Sequence, residues 1–138
     1  MNWQSYAVGS AIFASLTAIF GKIGVSGIPS NLATFIRTVV ILIVAGAVVS
    51  IKREWLKPEE ISFHSLTFLI FSGIATGLSW LCYYRALQIG PASKVIPVDK
   101  LSVPIAMALA FLFLGEATSF KVILGGLLIV CGSLIIAI

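Results

Sequence analysis

An all-α, polytopic membrane protein of five spanning helices is what this sequence predicts, and three observations predict it. The chain of 138 residues is 59% hydrophobic and only 10% charged. Its mean hydropathy is +1.12, so a water-soluble fold would have no polar face to present. The apolar residues also fall into runs of about 20, the length that crosses about 30 Å of hydrocarbon at 1.5 Å per residue.

Five such runs follow one another: about residues 3–25, 32–51, 66–87, 92–114 and 120–138. The first has no charge before Lys22 and exceeds the apolar core of a secretory leader, so it reads as a retained span. The link Ser26-Gly27-Ile28-Pro29-Ser30-Asn31 is a turn with a helix N-cap signal, and Ile89-Gly90-Pro91 breaks the chain before the fourth span. Gly115-Glu116-Ala117-Thr118-Ser119 separates the last two spans. Only Lys52 to Ser65 forms a longer loop, so a single transmembrane domain over 1–138 is expected. Cys82 and Cys131 fall inside spans and read as small packing residues.

The net charge of +4 does not point to nucleic acid, because the basic residues are scattered. Lys52, Arg53 and Lys57 alone sit together, beside a span, where they orient the chain or meet anionic lipid. One side of the membrane receives Lys52, Arg53, Lys57 and Lys121, the other Lys22, Arg37, Arg85 and Lys94. Lys and Arg near span ends set orientation, so this balance predicts a weak preference and insertion in both directions, dual topology; the alternative is that Arg37 and Lys94 lie partly inside their spans and count for less, which turns the Lys52 loop to the cytoplasm. An odd number of spans puts the termini on opposite sides. Two oppositely inserted copies would then form the inverted-repeat pair from which many transporters build a midplane site, and an antiparallel homodimer is expected, with a parallel two-fold dimer as its rival.

The fourth span departs most from a plain membrane anchor. Ser93-Lys94-Val95-Ile96-Pro97-Val98-Asp99-Lys100-Leu101-Ser102-Val103-Pro104 holds two prolines and three ionisable residues. Each charge at the centre of a span costs about 2.5–3.5 kcal/mol, so such groups face a polar cavity. Each proline frees the carbonyl four residues before it, Ser93 for Pro97 and Lys100 for Pro104. On a regular helix Ser93, Pro97, Lys100 and Pro104 share a face while Asp99 lies about 100° from Lys100. The expected partner of Asp99 is therefore Lys22, Arg37 or the Lys100 of a second copy, either as a structural ion pair or as a site for solute or a coupling ion.

The other candidates are weighed between two roles. Lys22 and Arg37 lie near span ends and can reach the headgroups, or they can face Asp99. Trp80, Tyr83 and Tyr84 read as an interfacial belt, with Trp80 or Tyr84 alternatively stacking on an organic or cationic solute. Gly73 and Gly77, and Gly125, Gly126, Gly132 and Ser133, provide smooth faces for packing within the chain or between copies. No phosphate-cradling glycine loop, nucleophile elbow or metal-binding His cluster is legible, so neither an enzyme nor a cofactor or metal is expected.

The segments Ala86-Leu87-Gln88-Ile89-Gly90-Pro91-Ala92-Ser93, Val95-Ile96-Pro97-Val98-Asp99-Lys100-Leu101-Ser102 and Leu112-Phe113-Leu114-Gly115-Glu116 resemble the signature of the EamA family of the drug/metabolite transporter superfamily. Thr34-Phe35-Ile36-Arg37-Thr38-Val39-Val40 resembles its second-span region. The chain is similar to the short, single-unit bacterial and archaeal members. The resemblance implies a multi-pass protein of the inner (plasma) membrane, one inverted-repeat unit of the transporter fold, with a cavity lined by the first, third and fourth spans. It also implies a small organic solute and places Pro97, Asp99, Lys100 and Glu116 on the family pattern. The expected function is secondary transport by alternating access. The alternative is a non-transporting subunit whose charged fourth span pairs with another membrane protein.

Overall fold

The computed structural model describes residues 2–138, and the side chain of residue 58 is not described. Among these residues every regular element is helical: α1 (Trp3–Gly24), α2 (Ser30–Lys52), α3 (Phe63–Ile89), α4 (Ala92–Asp99), α5 (Ser102–Leu109) and α6 (Phe120–Ala137). A 3₁₀ turn covers Pro58–Glu60, and α5 runs on into a π-helical segment, Ala110–Leu114. Taken as one span, Ala92–Leu114 joins α1, α2, α3 and α6 as the five helices long and apolar enough to cross a membrane. The all-α, five-span fold class is thereby borne out.

The helix ends have local causes. Pro29 precedes α2 without a side-chain cap, and the N-cap signal read in Ser26–Asn31 is not used. Ser30 instead lies inside the first turn, where its carbonyl accepts from Thr34 Oγ1 at 3.0 Å. α2 stops at Arg53, whose φ of 55° is left-handed. The amide of Glu54 returns to the Val49 carbonyl and that of Arg53 to the Ser50 carbonyl, a Schellman closure made without glycine. α3 begins three residues before the apolar run at Leu66, because Ser62 Oγ accepts from the Ser65 amide at 3.1 Å and caps an earlier first turn. Ser119 caps α6 through the Val122 amide, and Gly115 closes the preceding span at φ 66°.

The chain forms two compact units, Phe20–Gln88 and the stretch Ile89–Ile138 together with α1 up to Ile19. In the first, Val25 and Leu87 are the fully buried large side chains, joined by Tyr84 at 4% exposure. A Cβ on Gly21 would stand 3.0 Å from the Tyr84 hydroxyl oxygen, so the missing side chain is what lets the phenol lie against α1. In the second unit α6 packs on α4 and α5. Gly126 meets Met107 and Pro104 of α5. Ser133, seven residues on, is buried and donates to the Pro97 carbonyl of α4 at 2.9 Å.

Most apolar side chains stay exposed along the spans, as with Phe13, Phe71 and Leu128, which suits helices whose outer solvent is hydrocarbon. Cys82 and Cys131 are free and exposed rather than packed, because the buried face of each helix is taken by smaller or longer-reaching neighbours such as Tyr84 and Ser133.

Candidate functional site

The fourth span breaks where its charges are. α4 ends at Asp99, and Lys100 (φ −70°, ψ −6°) and Leu101 (φ −59°, ψ −21°) make a tight turn before α5 restarts at Ser102. Through this turn the bonds shorten to three-residue closures, Lys100 amide to Pro97 carbonyl, Leu101 to Val98 and Val103 to Lys100. Pro104 explains the position. With α5 starting at Ser102, it falls in a first turn, where amides have no intrahelical acceptor and a missing N–H costs nothing. The carbonyl of Pro97 accepts from Ser133 as well as Lys100, which anchors the broken stretch of backbone to α6.

The break also changes the partner of Asp99. Its carboxylate lies 3.4 Å from Lys100 Nζ. The regular-helix geometry that separates adjacent side chains by about 100° does not hold across the turn, so Asp99 reaches its own neighbour, a pairing the sequence does not predict. The side chains remain 34% (Asp99) and 52% (Lys100) exposed. Asp99 is the last residue of α4, about 10 Å along the span from Ala92 at 1.5 Å per residue. Ser93, six residues earlier, is exposed. From Ser102 an open groove of about 610 Å³ runs past Ala106 to Glu116. An adjoining, almost wholly apolar groove of about 310 Å³ lies between α5 and α6 along Met107, Phe111 and Gly126.

In the unit Phe20–Gln88 a second set of predicted residues comes together. The guanidinium of Arg37 lies over the Trp80 ring, 3.5 Å from its centroid, and 5.5 Å from that of Tyr84. Trp80 sits nine residues before the end of α3, roughly 13 Å along the helix. Tyr84 is buried. Tyr84 packs against α1 at Gly21, and one face of the Trp80 ring is covered by the chain's own cation.

Lys22 stands apart from this stack in role. Its ammonium donates to the Leu87 carbonyl at the end of α3. That carbonyl would ordinarily accept from the amide of residue 91, which is Pro91 and has none. Lys22 thus fills a vacancy left by a proline, and its positive charge also suits a helix C-terminus. Gln88 completes the seam, with Nε2 donating to the Val25 and Ile28 carbonyls (3.3 and 3.0 Å) and Oε1 accepting from Arg85 (2.7 Å). Sequence reasoning does not single out Gln88 or Gly21. In the other unit Ser133 does carry a signal, as a member of the small-residue face of α6. Among the described residues no three His, Cys, Asp or Glu side chains gather as a metal site.

Similarity to known proteins extends over the whole chain. A protein from a Sinorhizobium species named "uncharacterized transporter in cobO 3'region" is 48% identical over 137 residues, 99% of this chain and 97% of its own length. The Methanocaldococcus jannaschii protein MJ1333.1 is 34% identical over 73 residues, 53% of each chain. No solved structure matches significantly. Residues 1–138 match the EamA-like transporter family from end to end, and the five spans with their proline-broken, charged fourth helix are those of a multi-pass membrane protein that belongs to that family.

Proposed function

We propose that the protein is a secondary transporter of a small organic metabolite in the inner (plasma) membrane, a single transmembrane domain that works by alternating access as an antiparallel homodimer. The observation that carries this reading is the exposed Asp99–Lys100 pair inside a span. Hydrocarbon does not tolerate an uncovered ion pair, since each charge costs about 2.5–3.5 kcal/mol at the centre of a helix. The pair needs a water-filled cavity or a second chain over it, and a cavity closed by a second copy supplies both. Asp99 and Lys100 then bind solute or a coupling ion. Ser93 and Pro97 line the approach.

Two further features support pairing of opposite copies. With Arg37 inside its span, Lys and Arg near span ends still divide nearly evenly, four against three, and nothing in its own unit lies within 4 Å of where a Cβ would stand on Gly73 or Gly77. Those two residues leave a smooth face on α3 suited to close approach by a second helix.

The test is flux in proteoliposomes. Asp99→Asn abolishes solute movement while the protein still elutes as a dimer; undiminished flux would overturn the role of Asp99. Single cysteines beside Trp3 and Ile138, in a background without Cys82 and Cys131, report insertion. Labelling of each terminus from both faces supports opposite insertion, and labelling from one face refutes it. Purification only in the company of a second polypeptide would favour the non-transporting subunit instead.

A further inference from the structure

We propose that Arg37 is the binding point for an oxyanion, a carboxylate or phosphate group borne by the solute, presented by its stacking on Trp80 and Tyr84. The assignment of that group to a solute rests on the transporter reading; the anion site itself does not.

The charge lies deep in its span. Arg37 is the eighth residue of α2, about 10 Å from the helix start at 1.5 Å per residue. A long side chain at that depth can bend back to the headgroups. Here the guanidinium carbon instead lies over an indole, 3.5 Å from the ring centroid, on a helix whose backbone is about as deep there. Such a contact covers one side of the cation and leaves N–H donors at its edge, the edge through which arginine donates to an oxyanion.

Nothing described within the unit Phe20–Gln88 meets those donors, and Arg37 makes no ion pair there. Glu54, Glu59 and Glu60 follow the far end of α2, beyond Lys52. The hydroxyls nearest in sequence are committed to backbone, Thr34 to the Ser30 carbonyl and Thr38 to the Thr34 carbonyl. A half-buried guanidinium in a span with its donors unfilled by its own unit requires an acceptor from outside that unit. Trp80 already faces a cation, so a cationic group is repelled from this position and an anionic one is attracted.

The experiment reads Trp80 directly. Trp3→Phe and Trp55→Phe leave it as the sole tryptophan, and the protein is placed in nanodiscs of phosphatidylcholine alone. Benzoate, succinate and inorganic phosphate are titrated, with tetraphenylphosphonium as the cationic control. The expected result is a saturable change in Trp80 emission with at least one of the anions and none with the cation. Arg37→Gln weakens that response about ten- to a hundredfold, as the loss of a charge-assisted pair does, while Arg37→Lys keeps part of it. Unchanged helical circular dichroism and elution of both variants show that the fold survives.

A saturable response to the cation, no response to any of the three anions, or an equal response in Arg37→Gln overturns the proposal. A second nanodisc with one-third phosphatidylglycerol separates the sources. If that lipid alone shifts Trp80 and abolishes the response to soluble anions, the occupant is a headgroup and the solute assignment fails. Anion binding without flux in proteoliposomes would sink the transporter reading and leave the site standing; flux without an anion response would do the reverse.

Discussion

The unit Phe20–Gln88 and the unit built on Ile89–Ile138 treat the same problem, polar groups inside apolar helices, in opposite ways. In the first, the ends of the helices supply partners: Lys22 fills the carbonyl vacated by Pro91, Gln88 bridges the carbonyls of the α1–α2 turn, and Arg37 rests on Trp80. In the second, the backbone itself gives way. Two prolines break the span into α4 and α5, and Asp99 and Lys100 pair at the break while staying exposed. The lesson is that a proline at the edge of a span can be covered by one long side chain, whereas prolines inside it are accommodated only by a bend that leaves charges uncovered.

The largest effect is expected at the ion pair. Asp99→Asn leaves Lys100 as a lone charge and is expected to destabilise the protein by about 3 kcal/mol, the scale of one uncompensated charge in a span. Adding Lys100→Gln should recover most of that loss in a detergent unfolding titration without recovering flux. Recovery of both would reduce the pair to a structural role.

Next in size is Lys22→Met, which strips the Leu87 carbonyl of its ammonium donor. A loss of about 1–3 kcal/mol is expected for a polar group left unmet away from water, measured by the same titration. A variant as stable as the parent would show that the carbonyl has other cover and that the two units handle their prolines more alike. Gly21→Val comes close behind, at about 1–3 kcal/mol, because its side chain enters space held by the Tyr84 hydroxyl. The same substitution should shift the emission of Trp80 by disturbing the Arg37 stack, and unshifted emission would uncouple Tyr84 from that stack.

The smallest effect is expected at Ser133→Ala. It removes the hydroxyl bond to the Pro97 carbonyl, while that carbonyl keeps the Lys100 amide, so about 1 kcal/mol is lost. A much larger loss would mean that α6, rather than the proline turn, holds the broken span in shape.

Much of the fold is legible in the amino-acid sequence. The runs of apolar residues mark the five spans, and the prolines and charges of 93–104 mark the irregular one. The partners of those charges are not legible. A fourth span taken as a regular helix places Asp99 away from Lys100, whereas the tight turn at Lys100 and Leu101 brings the two side chains together. The seat of Arg37 over Trp80 is likewise not legible, since aromatic residues near a span end look alike whether they face headgroups or a cation.

What the sequence determined by itself is what depends on neighbours along the chain: hydropathy over a window of about 20 residues, proline's missing N–H, and the turn residues between spans. The tertiary structure alone decided which donor met which acceptor. Lys22 and Leu87 stand 65 positions apart and Ser133 and Pro97 stand 36 apart, and no periodicity links such pairs. Their meeting is set by how closely two helices approach, and that in turn by small residues such as Gly21 and Gly126, whose absent side chains bring Tyr84 against α1 and Met107 against α6.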